Sequence, residues 1–157
     1  MNDLTIESVE SEADAAELGA RLWEVLWRPL GLPQNVRESF KLEGESLEFV
    51  AKSHGVVLGG LVAIWTSPTE VKLRHIALKP EAQNQGAGSQ LVNALIGTVS
   101  RNKCTRIHVI TRKTSAGFFR KLGFTTSHGE APEHPVFKKH RITFELMEKN
   151  VEPVHGL

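Results

Sequence analysis

The sequence predicts a mixed α/β fold, in which a central mixed β-sheet of about six to seven strands is flanked by about four helices. After an opening strand and helix, the first half holds consecutive strand-like runs, and from Val71 onward strands and helices alternate. Consecutive strands followed by a β-α-β-α-β order are typical of a mixed sheet with helices on its faces. The chain has 157 residues, enough for one sizeable core, so we expect a single domain over residues 1–157.

The first elements are a strand over residues 4–9 and an amphipathic helix. Ser11 or Asp14 can cap that helix, because both side chains accept hydrogen bonds from backbone N–H groups. Its apolar residues recur at helical spacing and are Leu18, Leu22, Val25 and Leu26. Two prolines and a glycine in residues 29–33 end the helix, and a short helix is expected over residues 36–42.

A hairpin and a further strand come next. Residues 47–52 and 56–65 are apolar runs separated by Ser53, His54 and Gly55, which predicts two antiparallel strands joined by a tight turn. Residues 71–78 form the following strand.

The C-terminal half alternates helices and strands. The helix that follows Gly86 presents apolar side chains on one face, namely Leu91, Val92, Leu95, Ile96 and Val99. A strand over residues 106–111 leads to a short helix that ends at Gly123. Residues 130–139, with two prolines, are expected to form a polar loop. Residues 142–147 are expected to form the last strand, followed by a frayed tail from about residue 150.

A polar, glycine-bearing turn joins the strand that ends at Leu78 to the next helix. Its residues are Gln83, Asn84, Gln85, Gly86, Ala87, Gly88 and Ser89. Such a turn places backbone N–H groups at a helix N-terminus, where the helix dipole favours an anion. Gly86 and Gly88 lack a Cβ, so the backbone can approach a bulky diphosphate. The spacing differs from the dinucleotide signature G-x-G-x-x-G and, since no Lys-Ser/Thr pair follows Gly88, from the phosphate loop of nucleotide-binding proteins.

The spacing Gln83-x-x-Gly86-x-Gly88 resembles the acyl-CoA pyrophosphate loop of the GNAT superfamily of N-acyltransferases. Residues 114–124, a short helix that ends in Leu-Gly-Phe, resemble the second motif of that family. The two motifs stand in the family's order, with a strand between them. The resemblance is firm over residues 71–124 and loose over the rest, and it implies the same mixed α/β fold.

The resemblance implies an N-acetyltransferase that moves an acetyl group from acetyl-CoA to a primary amine. In the family, the end of the fourth strand pairs with the pantetheine amides, which implies this role for Ile76, Ala77 and Leu78. The N–H of Leu78 is the expected donor to the oxyanion that develops on the thioester. The turn over residues 83–89 is expected to hold the pyrophosphate, and Phe119 is expected to contact the cofactor. Acetyl-CoA is thus the expected co-substrate, without a metal.

The general acid is where the chain departs from the family. Many members have a tyrosine that protonates the leaving CoA sulfur, but the matching residue is Phe119 and the chain contains no tyrosine. A thiol with a pKa of about 8.5 leaves tolerably as an anion, so water or no acid suffices, and Ser115 is a weak substitute donor. Arg112 stands where many members have an asparagine that contacts the cofactor, and Gln83 replaces a common arginine.

The general base is open. Some members carry a glutamate at the position near Lys72, which cannot serve as a base. Glu70 and His75 are the nearby alternatives, and His75 is the tentative base because an imidazole titrates near neutrality. A structural role for His75 within its strand is the other interpretation.

Composition and charge narrow the classes of partner. Residues 1–50 carry a net charge of −7 and residues 101–150 one of +7. The basic part suits a polyanionic ligand such as CoA, although two solvated faces would give the same pattern. The dispersed basic residues form no nucleic-acid motif, so no nucleic-acid partner is expected. No run approaches the length of a membrane helix, so no membrane association is expected.

Cysteine and histidine usage add two expectations. The single Cys104 cannot form an internal disulfide, which favours a reducing cytoplasm. The late histidines and glutamates match no standard metal spacing and are better placed to line an acceptor pocket. They are His128, Glu130, Glu133, His134 and His140.

Two other functions remain open at this point. The missing tyrosine favours a non-catalytic acyl-CoA-binding module on the same fold. A nucleotide-binding protein could use a similar anion loop, but the chain lacks the Lys-Ser/Thr pair and an acidic ribose partner. The acceptor is expected to be a small molecule, and a homodimer is compatible with the family. Trp23, Trp27 and Phe40 lie where members build an acceptor lid, with packing as the alternative role.

Overall fold

Seven strands of the described chain form one mixed sheet, which confirms the predicted fold class. The structure is a computed structural model that describes residues 3–40 and 44–154. The strands, β1 to β7, are Leu4–Ser8, Ser46–Ser53, Val56–Ser67, Glu70–Leu78, Arg106–Arg112, Thr125–Thr126 and Phe144–Asn150. Their order in the sheet is β1-β2-β3-β4-β5-β7-β6. Strands β4 and β5 run parallel, whereas the other described neighbours run antiparallel.

Four α-helices of the described chain flank the sheet. They are α1 Glu12–Leu22, α2 Ala87–Ser100, α3 Ala116–Lys121 and α4 Pro135–Lys139. Helix α1 begins at Ser11, whose Oγ accepts a hydrogen bond from the N–H of Asp14 at 3.1 Å, so Ser11 is the cap. The chain continues from α1 as one π-helical turn over Trp23–Trp27 and one 3-10 turn over Arg28–Leu30, and it leaves the helix at Gly31, where φ is +74°.

Two apolar clusters cover the two faces of the sheet. One cluster packs α2 and α3 against the sheet and includes Leu91, Leu95, Phe119, Leu73 and Met147. The other packs α1, the π-helical turn and α4 against the opposite face, and it includes Leu18, Leu22, Trp27, Val50 and Phe137. Burial of these side chains is the main favourable term that holds the helices on the sheet.

Helix α4 corrects the expectation of a polar loop over residues 130–139. Pro135 lies in the first turn, where its fixed φ and missing N–H cost nothing. Phe137 is buried and packs edge-to-face against Phe144, with ring centroids 5.4 Å apart. This tertiary contact stabilises a helix that is too short to be stable alone.

Two further expectations fall partly on residues outside the described ranges. The short helix expected over 36–42 is a 3-10 helix over Val36–Phe40, and residues 41 and 42 are not described. Of the expected tail, residues 155–157 lie outside the described chain, whereas Val151 and Val154 donate backbone hydrogen bonds to Thr105 and Ser100, each at 2.8 Å. Within the described residues, no helix has the length and apolar character needed to cross a lipid bilayer.

Candidate active site in the cleft between β4 and β5

Strands β4 and β5 pair over their first halves and then diverge. The register joins residues 70–73 of β4 to residues 106–109 of β5 and ends there. At the same point β4 contains a β-bulge, because two consecutive β3 residues lie opposite Leu73 and His75 and leave Arg74 as the extra residue. A bulge bends its strand and increases its twist. The second half of β4 therefore separates from β5, and a cleft opens between them.

The free end of β4 directs peptide groups into this cleft. The N–H of Lys79 donates to the carbonyl of Leu58 in β3 at 2.9 Å. Successive residues of a strand direct their peptide groups to opposite edges. The N–H and C=O groups of Leu78 and Ile76 therefore face away from β3, on the cleft side, whereas those of Ala77 face β3.

Helix α2 begins beside this strand end with an uncapped first turn. Gly86 is the N-cap residue, with φ at +83°, and among the described residues no side chain caps the turn and none of its residues is acidic. The first N–H groups of a helix have no acceptor within the helix. Together with the helix dipole they form a site suited to an anion such as a phosphate.

The turn and the strand end that the sequence predicted are adjacent in the structure. The Nε2 of Gln83 donates to the carbonyl of Leu78 at 2.9 Å. A Cβ on Gly88 would lie 3.2 Å from the ring of Phe118 and 3.8 Å from a methyl of Leu78, so glycine allows α2 to approach both. Of the other turn residues, Gln85 donates through Nε2 to the carbonyl of Glu81 at 2.9 Å, and Asn84 has a positive φ of 63°.

The cleft contains a cavity of about 330 Å³. Its walls come from residues 72–76 of β4, 109–112 of β5, Ser115 and Phe119 of the α3 region, and residues 132–134 and 137 in and before α4. None of residues 83–89 lines this cavity, so the turn over residues 83–89, called the anion turn below, and the cavity are separate parts of the site. Ile76 belongs to the cavity wall, and Leu78 lies two residues further along β4, next to the turn.

Phe119 contributes an apolar wall to the cavity. It is 2% exposed and packs edge-to-face with Phe118 and Phe124, at centroid distances of 5.0 and 5.3 Å. Ser115 precedes it by about one helical turn and lines the same cavity. Ser115 is therefore the hydroxyl that the α3 region presents to the cleft.

His75 lies in the cavity wall with its ring edge-to-face against Trp27, at a centroid distance of 5.0 Å. Burial, followed by the charges of Arg74, Arg37 and Lys72, lowers the pKa of His75 to about 3. The imidazole is therefore neutral near pH 7. Glu70, the other candidate base, accepts a hydrogen bond from Nε of Arg106 at 2.8 Å and lies outside the cavity wall.

Three cations line the cavity, and they were not predicted as a group from the sequence. They are Lys72 and Arg74 of β4 and Arg112 of β5. Burial lowers the pKa of all three, with the neighbouring charge of Arg74 adding to the effect on Lys72 and that of Arg37 to the effect on Arg74. The available signal was partial: Lys72 and Arg74 stand at alternate positions of the strand predicted over residues 71–78, whereas Arg112 follows the strand predicted over residues 106–111.

The other expected pocket residues divide into two groups. Trp27, Glu133 and His134 line the cavity, whereas His128, Glu130 and His140 do not. Trp23 donates from Nε1 to the carbonyl of Leu32 at 2.9 Å, which is a structural contact, and the side chain of Phe40 lies outside the described part of the chain. Within residues 3–40 and 44–154, no three His, Cys, Asp or Glu residues are grouped as metal ligands would be.

The chain is similar to known proteins in sequence and in fold. The sequence model described as the Acetyltransferase (GNAT) family matches residues 13–124, which include the turn, both diverging strands and α3.

Solved structures show the same fold over almost the whole chain. A protein from Lactobacillus plantarum with a proposed N-acetyltransferase activity is 16% identical and has a TM-score of 0.80, covering 96% of this chain and 99% of that one. The ribosomal-protein-S18-alanine N-acetyltransferase from Escherichia coli is 21% identical, with a TM-score of 0.75 and coverages of 98% and 96%. An aminoglycoside 6′-N-acetyltransferase solved with coenzyme A is 16% identical, with a TM-score of 0.76 and coverages of 97% and 99%.

Proposed function

The chain belongs to the acetyltransferase (GNAT) family, and on that premise we propose that it transfers an acetyl group from acetyl-CoA to a primary amine of a small molecule. The observation that carries the proposal is the position of the uncapped N-terminus of α2 beside the free end of β4. One part suits the phosphates of acetyl-CoA and the other suits an extended amide chain.

The residues present fit acetyl-CoA as the acyl donor, which supplies an activated thioester carbonyl when bound. The first N–H groups of α2, which follow Gly86, would hold the pyrophosphate. The peptide groups of Ile76 and Leu78 on the cleft side would pair with the pantetheine amides as a neighbouring strand would. Gly88 keeps this approach open, because a larger residue there would meet Phe118.

The N–H of Leu78 is the proposed donor to the oxyanion. The carbonyl of Leu78 accepts a hydrogen bond from Gln83, and the N–H of Lys79 donates one to the carbonyl of Leu58. The strand end is therefore held in place before any ligand binds. A donor held in advance stabilises developing charge without reorganisation during the reaction.

Proton removal from the amine is proposed to need no strong base. With a pKa of about 3, His75, the base expected from the sequence, holds a proton poorly at pH 7. The burial that keeps His75 neutral also favours the neutral form of an amine bound beside it. We therefore propose that the acceptor enters the attack as the free amine, after losing its proton to water.

The departing thiolate would be protonated by water or by the hydroxyl of Ser115. Phe119 offers no proton, and Ser115 is the α3-region hydroxyl in the cavity wall. A thiol with a pKa of about 8.5 is a tolerable leaving group, so a weak acid or water is sufficient.

The size of the cavity supports a small acceptor. Its volume of about 330 Å³ is near the lower limit for small-molecule sites, which is roughly 300 Å³. The names of two solved structures refer to an aminoglycoside and to a ribosomal protein, so fold similarity alone does not select the acceptor. A cytoplasmic location, supported by the free and buried Cys104, and a homodimer, supported by the family resemblance, are further parts of the proposal.

A non-catalytic acyl-CoA-binding module is the second candidate, and the observation that favours it is Phe119 in place of the family tyrosine. The two candidates share the same acetyl-CoA site and differ in turnover.

The test has two stages. Thermal unfolding is followed with acetyl-CoA, CoA, ATP and NAD in parallel, since a ligand at about one hundred times its Kd adds roughly 2.7 kcal/mol of stability. A shift with the CoA species alone supports the site, and a larger shift with ATP or NAD contradicts it. Thiol release with a panel of amines then separates the enzyme from the binding module.

A further inference from the structure

The wall of the cavity between β4 and β5 is positively charged. Lys72, Arg74 and Arg112 line it, and among its described lining residues Glu133 is the one carboxylate. That carboxylate lies 3.3 Å from Nζ of Lys138, which offsets its charge. The cavity therefore presents a net positive surface to whatever it binds.

Two of these cations have no counter-ion in the described chain. Arg112 donates through Nη2 to the carbonyl of Leu26 at 2.9 Å, and its guanidinium carbon lies 6.0 Å from the ring centroid of Phe137. Among the described residues, neither Arg112 nor Lys72 has a carboxylate oxygen within 4.0 Å. Burying a charge without a partner costs free energy, so a ligand that brings an anion would relieve this cost.

Two other arginines near this part of the chain are paired, one in the 3-10 helix over Val36–Phe40 and one in β5. Arg37 lies 2.8 Å from Glu48, and Arg106 contacts both Glu70 and Glu148. Among the described residues, the absence of a carboxylate partner therefore distinguishes Arg112 and Lys72 from these two arginines.

Arg112 is directed away from the turn that is proposed to hold the phosphates of CoA. Its contacts are Leu26, at the end of the segment that follows α1, and Phe137 of α4. The turn over residues 83–89 does not line this cavity. An anion bound by Arg112 would therefore be distinct from the CoA pyrophosphate. The reaction has two reactants, acetyl-CoA and the acceptor, so this anion would belong to the acceptor.

We propose that the acceptor is a small primary amine that also carries a carboxylate or a phosphate, and that Arg112 binds this anionic group while Lys72 adds positive charge to the same cavity wall. The inference rests on the proposed acetyltransferase function and names its substrate class. A guanidinium presents a planar set of donors that matches the oxygens of either group. Arg112 uses one of its five N–H donors on Leu26, which leaves the others for the ligand. The rings of Trp27, Phe137 and Phe144 line the rest of the cavity and suit the carbon skeleton.

The experiment compares amines that differ in the anion alone. Glycine, β-alanine, leucine and phenylalanine are each paired with their own carboxamide, and O-phosphoethanolamine is paired with ethanolamine. Binding is measured by thermal unfolding of the full chain saturated with CoA, and turnover by thiol release from acetyl-CoA. We expect at least one anionic amine to bind about tenfold more tightly than its neutral counterpart, because a charge-assisted hydrogen bond is worth at least that factor. Comparison of β-alanine with O-phosphoethanolamine tells carboxylate from phosphate.

Variants locate the effect. Arg112→Gln is expected to remove most of this discrimination, measured as the ratio of the affinities for each anionic amine and its neutral counterpart. Lys72→Gln is expected to reduce it less and provides the test if Arg112→Gln does not fold. Arg101→Gln, at an exposed position after α2, is the matched control and should retain the full discrimination.

Three outcomes would overturn the inference. Every anionic amine, the phosphate included, could bind no better than its neutral counterpart; the discrimination could survive in both cavity variants; or no amine of the panel could bind while CoA does. In each of these cases the proposed acetyl-CoA site stands. If no CoA species stabilises the protein and no thiol is released, the proposed function fails together with the inference that rests on it.

Discussion

The side-chain amide of Gln83 donates a hydrogen bond of 2.9 Å to the carbonyl oxygen of Leu78. The N–H of the same peptide unit, from Lys79, donates to Leu58 of β3, also at 2.9 Å. The peptide unit is thus held from both sides, by the turn before α2 and by the sheet. This joins the anion turn to the strand end that is proposed to bind the pantetheine chain.

Replacing Gln83 with leucine should loosen that connection. The variant loses one hydrogen bond at a half-buried carbonyl, so we expect a stability loss of about 1 kcal/mol and a several-fold higher Kd for CoA. Urea unfolding and calorimetric titration with CoA measure the two effects. The control is Asn102→Ala, which removes a similar amide-to-carbonyl bond to Thr98 at the other end of α2 and should not change the Kd for CoA. Equal CoA affinity in Gln83→Leu and the parent protein would contradict the proposed role.

Gly88→Trp should abolish CoA binding. Even a Cβ at this position lies 3.2 Å from the ring of Phe118, so a large side chain must turn outward across the first turn of α2. Gly97→Ala is the control within the same helix, because its Cβ would meet only the side chain of Arg101, at 3.6 Å. That control should gain roughly 0.5–1 kcal/mol of stability and bind CoA normally. Retained CoA affinity in a folded Gly88→Trp variant would refute the assignment of the turn.

His75 should make the fold sensitive to acid. In the unfolded chain a histidine takes up a proton below a pH of about 6.5, whereas His75 in the native protein does so at about 3. Between these values the unfolded state binds more protons, so stability falls as pH falls, with a slope that approaches about 1.4 kcal/mol per pH unit. Urea unfolding at several pH values measures the slope.

His75→Gln should flatten this slope, and His140→Gln, at an exposed position, should not. The pH dependence of kcat/KM gives an independent reading of the same residue. If His75 acts as a base with an ordinary pKa, the rate will fall below a pH of about 6.5 in the parent protein and not in His75→Gln. We expect instead that both proteins follow the ionisation of the amine.

Phe119→Tyr should raise kcat, by less than about tenfold, because it places a phenol at the cavity wall where a proton can reach the leaving sulfur. Steady-state kinetics with one amine and saturating acetyl-CoA measures the change. Phe124→Tyr adds the same hydroxyl to a neighbouring buried ring outside the cavity wall and controls for the cost of a buried hydroxyl. An unchanged kcat in a folded Phe119→Tyr variant would mean that loss of the thiolate needs no acid.

The turn before α2 was predictable because its signals are local. Gly86 has the positive φ that a glycine permits, and the apolar positions of α2 follow it without interruption. The hairpin turn was predictable for the same reason, since His54 and Gly55 both have positive φ, as a two-residue loop requires.

The features that escaped prediction depend on contacts between distant segments. Helix α4 was expected to be a loop because proline usually breaks a helix. Pro135, however, lies in the first turn, where proline is tolerated, and the contact of Phe137 with Phe144 stabilises the helix. The cationic wall arises where β4 and β5 diverge and α4 closes over them. Lys72 and Arg112 lie on different strands, so no window of sequence contains both.

The bulge at Arg74 changes the spacing of apolar residues along β4. Val71, Leu73 and Leu78 belong to the cluster beneath α2 and Ile76 packs against it, and the intervals between these four residues are two, three and two. In a regular strand, side chains on the same face recur every two residues. The single interval of three shows that one extra residue lies between Leu73 and Ile76. If the strand were straightened without losing a residue, Ile76 and Leu78 would turn to the opposite face. Loss of Arg74 would restore an even alternation and remove the bend that separates β4 from β5. The cleft therefore depends on one inserted residue, which shifts the alternation of side chains along β4 at the point where β4 leaves β5.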